Sequence, residues 1–67
     1  MRIAIQQNAL NVVKQSLTAG EIEYIETENF PKVEIKEMKS SFRVTGKKQH
    51  LFDFLYDASV RYDVELM

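Results

Sequence analysis

The stretch ALNVVKQSLTAGEIEYIET, Ala9–Thr27, decides the fold, because it joins two hydrophobic periodicities. In its first half Ala9, Leu10, Val13 and Leu17 recur at helical spacing, with Lys14, Gln15 and Thr18 turned away. Gly20 suits the position just past a helix C-terminus, where a left-handed residue is least strained without a Cβ. In the second half Ile22 and Tyr24 fall on one side and Glu21, Glu23 and Ile25 on the other, the period-two mark of a strand. The expectation is therefore a first helix within residues 2–19, followed by a strand over 21–27.

Upstream, Asn8 can cap a helix beginning at Ala9. Ile3 and Ile5 then alternate along a short extra N-terminal strand. Starting the helix near Arg2 instead would place Gln6 near the middle of its apolar face, so the extended start is preferred.

Downstream, KVEIKEM places Val33 and Ile35 together against Lys32, Glu34 and Lys36. SFRVT places Phe42 and Val44 together against Ser41, Arg43 and Thr45. Pro31 cannot donate to a ladder and belongs at a strand's start. A hairpin with Met38 opposite Ser41 gathers Val33, Ile35, Phe42 and Val44 on one face. It also sets Lys36 against Arg43 on the other, an unfavourable like-charge contact. Glu23 on the preceding strand is expected to relieve it. Gly46 ends the sheet, and a second helix runs from about Lys48 to Tyr62. The fold class expected is α+β: a two-layer helix, three-stranded antiparallel meander, helix (αβββα), with the short N-terminal strand added.

The second helix is more apolar than one buried face requires. Leu51, Phe54, Leu55, Ala58 and Tyr62 form the stripe that faces the sheet. Phe52, Tyr56 and Val60, four apart, stack into a second stripe, and Asp53, Asp57 and Arg61 form the polar side. Together the stripes exceed the roughly 100° arc of an ordinary core-facing helix. Either the first helix covers the second stripe, or the stripe meets another chain.

Sixty-seven residues make one domain, 1–67. A chain this short buries only about 60% of its unfolded surface, so stability is marginal and a second subunit is a natural supplement. Hydrophobic content of 45% and charged content of 28% are those of a globular protein rather than a disordered one. The net charge of −1 argues against a strongly electrostatic partner, nucleic acid or anionic membrane, while leaving room for a local patch. The lack of cysteine excludes disulfides, thiolate zinc sites and thiol catalysis. Gln6, Gln7 and Asn8 cut the N-terminal apolar run short of a signal-peptide core, so a cytoplasmic protein is expected.

No constellation of catalytic, metal-binding or cofactor-binding residues stands out. His50, the one histidine, follows Lys47 and Lys48 and reads as a solvated residue. Asp53 and Asp57 share a helix face, beside Arg61. Glu21, Glu23, Glu26 and Glu28 read as cross-strand partners of Lys32, Lys36 and Arg43. Two glycines 26 positions apart make no phosphate loop. The expectation is a non-enzymatic interaction or regulatory module, with no cofactor, metal, membrane or small-molecule substrate. It would bind a protein partner or a second copy through Phe52, Tyr56 and Val60, with Tyr24 or Phe30 nearby. Small size and lack of motifs suit an accessory protein of a phage or mobile element.

The alternative is a nucleic-acid-binding accessory protein using Lys39, Arg43, Lys47 and Lys48. The order helix, three strands, helix, with Lys47 and Lys48 opening the second helix, is similar in topology to double-stranded RNA-binding domains. It departs from them in two places. The helix continues with Leu51, Phe52 and Asp53 where those domains carry further lysines, and the connection TENFPK lacks their histidine. Lysines at a helix N-terminus also oppose the helix dipole, a local mismatch that hints at function.

Overall fold

The computed structural model describes all 67 residues. Strand β1 spans Arg2–Gln6 and β2 spans Ala9–Val13. A short 3-10 turn, Lys14–Ser16, leads to helix α1, Ala19–Thr27. Strands β3, Val33–Glu37, and β4, Ser41–Gly46, precede helix α2, Lys48–Arg61, and the two-residue strand β5, Glu65–Leu66. The fold is α+β with one five-stranded mixed sheet in the order β3-β4-β2-β1-β5. Only the β1–β5 pair is parallel.

This corrects the expected meander at the opening stretch. Residues 9–13 form a strand in place of the expected helix. Leu10 and Val12 point inward and are fully buried, while Asn11 and Val13 lie on the opposite face. Four short-spaced apolar residues satisfy both periods, and β-branched Val12 and Val13 suit a strand. The chain reverses tightly at Gln7–Asn8, where Asn8 takes a left-handed φ of 59° that asparagine tolerates. The extra N-terminal strand expected at Ile3 and Ile5 is present as β1.

Residues 21–27 form a helix in place of the expected strand. Thr18 caps it: its hydroxyl oxygen accepts from the Glu21 N–H at 3.3 Å, and the Glu21 Oε1 accepts from the Thr18 N–H at 3.1 Å. That reciprocal pair satisfies two of the donors left over at any helix start. Alanine and glutamates are good helix formers, and an acid in the first turn suits the dipole. Gly20 accordingly lies inside the start of α1 rather than after a helix end.

The β3–β4 hairpin has the expected register, with Lys36 opposite Arg43 and Ile35 opposite Val44. The Met38 N–H donates to the Ser41 carbonyl at 2.7 Å. The neighbour on the far side of β4 is β2, which sets Asn11 beside Arg43. Glu23, now on α1, cannot relieve Lys36 and Arg43 across the sheet.

Ile3, Leu10, Val12, Phe42 and Val44 share one sheet face and pack with Tyr24 and Ile25 of α1 and Leu51, Phe54 and Ala58 of α2. Both helices therefore cover the same face, as a two-layer architecture requires. The other face, with Arg2, Asn11, Lys36 and Arg43, carries no helix. No helix of the protein is long and apolar enough to cross a membrane.

Candidate protein interface on helix α2

Helix α2 divides into three flanks. Leu51, Phe54 and Ala58 are buried against the sheet, with Leu55 and Tyr62 packed at the margin. The second flank meets α1. The Tyr24 hydroxyl donates to Asp57 Oδ2 at 2.6 Å, and the Tyr62 hydroxyl donates to the Gly20 carbonyl at 3.0 Å. Rings of Tyr24, Phe30, Tyr62 and Phe54 contact one another edge-on or tilted at centroid distances of 5.1–5.5 Å. The Arg61 guanidinium sits 5.2 Å from the centre of the Tyr24 ring. Such a seam supplies both apolar contact and orientation.

The third flank is open. Phe52 is 53% exposed, Val60 69% and Tyr56 73%. Helix α1 does not cover them, because it approaches from the side of Phe54, Asp57 and Arg61, away from the row 52-56-60. Tyr24 and Phe30, expected near this row, belong to the inter-helix seam instead. Tyr24 is a core residue and Phe30 is half-buried.

At its upper end the row merges with an apolar groove of about 390 Å³ lined by Ile5, Leu10, Leu51, Phe52 and Leu55, with Lys48 at its rim. Ile5 had no place in the sequence-based site. Its alternation with Ile3 marks an inward residue, and only its position near the sheet edge leaves it half exposed. Leu66 and Met67, on and just beyond edge strand β5, are exposed as well.

The basic residues of the alternative reading are spread out. Lys39 lies in the hairpin loop at one end of β4, Arg43 on the open sheet face, and Lys47 and Lys48 beyond the other end of β4. At roughly 3.3 Å per residue, the length of β4 separates the two ends. Lys36, not counted among them, is brought directly beside Arg43. Lys47 is the N-cap residue of α2 and makes no side-chain capping bond.

The remaining candidates are absorbed by packing. Asp57 accepts from Tyr24 and lies 4.0 Å from Arg61. His50 lies 3.4 Å from the Gln49 amide and lines a shallow hollow with Asp53 and Asp57. No three His, Cys, Asp or Glu side chains are grouped to hold a metal ion. Glu21, expected as a surface partner of lysines, is buried in its capping box beside the α-ammonium of Met1, 3.4 Å away.

Burial, followed by the hydrogen bond to Asp57 and that carboxylate's charge, pushes the ionisation of Tyr24 well above the usual tyrosine range. The folded protein therefore holds this proton more tightly than the unfolded chain. The contribution is fully present below a pH of about 10, the unfolded value, and is lost as pH rises above it. Tyr24→Phe is expected to cost about 1 kcal/mol at neutral pH. It should also flatten the loss of stability above about pH 10. Urea unfolding of both proteins across that range checks this, and parallel pH curves would refute the assignment.

The chain matches no protein-family model, no curated protein and no solved structure.

Proposed function

We propose that this protein is a small non-enzymatic interaction module that binds a protein surface through Phe52, Tyr56 and Val60. The observation that carries the reading is the exposure of these three side chains in one row, on a helix whose other two flanks meet the sheet and α1. Scattered apolar residues on a surface need no explanation, but a contiguous row of aromatic and aliphatic side chains does. Tyrosine and phenylalanine are enriched where chains meet, and a few buried aromatics carry most of an interface's energy. Phe52 and Tyr56 are the anchors and Val60 completes the row.

Photo-crosslinking tests the reading. A benzophenone side chain placed at position 56 in the living cell is expected to give a defined adduct. The same group at Glu34, on the opposite sheet face, should give none. An equal pattern from both positions, or no adduct from position 56, refutes the proposal.

A second reading rests on a different observation. Lys36 and Arg43 stand side by side on the open sheet face with no ion-pair partner, next to Asn11. Adjacent like charges are unfavourable unless an anion joins them, and a nucleic-acid phosphate would do so. This reading replaces the scattered set Lys39, Arg43, Lys47 and Lys48 with a pair centred on Arg43. It predicts binding to oligonucleotides that weakens steeply with salt and is lost in Arg43→Ala. A fluorescence titration at low salt with no signal removes it.

A further inference from the structure

We infer that the chain docked on the 52-56-60 row is a second copy of this protein, with α2 antiparallel to its twin about a twofold axis at Tyr56. The inference rests on the row being an interface and identifies what covers it. Four observations converge on an isologous pair.

The first is the charge on either side of the row. Lys47 and Lys48 open α2, and Asp63 and Glu65 follow its end. Lys48 is itself the next member of the row, four residues before Phe52. A helix with basic residues at one end and acidic residues at the other is self-complementary when two copies run antiparallel.

The second is that these charges lack satisfying partners within the chain. Lys47, Lys48 and Asp63 form no ion pair, although the Lys48 ammonium lies 6.0 Å from the centre of the Phe52 ring, and Glu65 meets Arg2 only loosely at 3.9 Å on an exposed edge.

The third is the helix dipole. Lys47 and Lys48 at the start of α2 and Asp63 and Glu65 after its end oppose the dipole of their own helix, while Arg61 in the last turn suits it and is turned toward Asp57 and Glu28 on the α1 side. In an antiparallel pair the same cations face the negative end of the partner helix, and the acids face its positive end. The placement that is unfavourable in one copy becomes favourable in two. The start of α2 has neither a side-chain cap nor an acid in its first turn, so a carboxylate from outside is the group it lacks.

The fourth is shape. With Tyr56 on the axis, each Phe52 meets a Val60 of the twin, a large side chain against a small one. A twofold axis at Tyr56 brings Lys47 and Lys48 of one copy to the end of the twin's α2, where Asp63 and Glu65 follow Arg61.

Sedimentation velocity tests the inference, with circular dichroism confirming that each variant is folded. The wild type is expected to show a monomer–dimer equilibrium that weakens as salt is raised. Tyr56→Glu should weaken it by about 30-fold or more, as loss of a central anchor does. The double variant Lys47→Glu with Lys48→Glu, and the variant Asp63→Lys, should each be monomeric alone, since each sets like charges against one another. Mixed one to one, they should form a heterodimer, because the exchanged charges attract again. Asp63→Lys leaves β5 and Glu65 untouched, so the scheme survives if a broader change fails to fold. Restoration on mixing supports the antiparallel pair. A dimer indifferent to all the charge changes overturns the arrangement. A wild type monomeric up to about 1 mM overturns the second copy. If position 56 nevertheless crosslinks to another protein in the cell, the row remains an interface with a different occupant. A dimer unaffected by Tyr56→Glu overturns both this inference and the interface reading.

Discussion

Phe54→Ala is expected to remove about 3–5 kcal/mol of folding free energy, while Phe52→Ala, two positions away, should change it by no more than about 0.5 kcal/mol. Phe54 is 3% exposed, packed against the ring of Phe30 and the sheet. Its loss leaves a cavity between the two layers. Phe52 is largely exposed and has little to lose in the isolated chain. A domain of this length has a total stability of only about 3–10 kcal/mol, so Phe54→Ala should be partly unfolded at room temperature. Urea denaturation followed by circular dichroism separates the two variants by their midpoints. Equal destabilisation at both positions would mean that Phe52 is core, and the interface reading would fall with it. A loss at Phe52 that appears only at high protein concentration would instead measure association.

Glu21→Ala should cost about 3 kcal/mol. The side chain joins three things. Its Oε1 accepts from the Thr18 N–H at 3.1 Å and from the Thr18 hydroxyl at 3.0 Å, which starts α1. Its Oε2 makes no hydrogen bond but lies 3.4 Å from the Met1 α-ammonium, which begins the path into β1. Both partners are withdrawn from water, and removing one of a buried pair leaves the other charge uncompensated. Glu21→Gln keeps the acceptor for Thr18 and loses the charge, so about half the cost should return. Thermal unfolding of the two variants reads the difference. A Glu21→Ala protein as stable as the wild type would show that the buried carboxylate does not tie α1 to the sheet.

The two halves of the chain differed in how much they disclosed. In the second half each segment has one consistent pattern. Val33 and Ile35 alternate strictly, Phe42 and Val44 alternate against them, and Leu51, Phe54, Leu55 and Ala58 fit only a helix. Hence the hairpin register and the bounds of α2 were legible. In the first half the patterns overlap. Leu10 and Val13 fit a helix as well as Leu10 and Val12 fit a strand, and Ile22 and Tyr24 alternate as readily as Glu21, Tyr24 and Ile25 recur at helical spacing. Short apolar runs fit both periods. One local signal did point to the observed answer. Thr18 and Glu21 have the spacing of a capping box, and it outweighs the β-branched residues that follow.

The candidate site was legible in composition but not in exposure. An excess apolar row on α2 follows from spacing alone. Its freedom from α1 does not, because it depends on which side of α2 the other helix approaches. That side is set by Tyr24, Phe30 and Gly20, which meet Asp57, Phe54 and Tyr62 across more than twenty residues of chain.

The sequence by itself determined α2, the β3–β4 hairpin, its like-charged Lys36–Arg43 pair and the surplus of apolar surface on one helix. Only the tertiary structure decided that residues 9–13 are a strand and that Phe52, Tyr56 and Val60 stay open. The reason lies in where each element finds its hydrogen bonds. A helix such as α2 satisfies its backbone within itself, and a hairpin does so with its neighbour, so local residues suffice. Strand β2 sits between β1 and β4, and its β4 partners, from Ser41 for Val13 to Thr45 for Ala9, lie 28 to 36 residues away. No local pattern can announce a partner that only the folded chain brings into place.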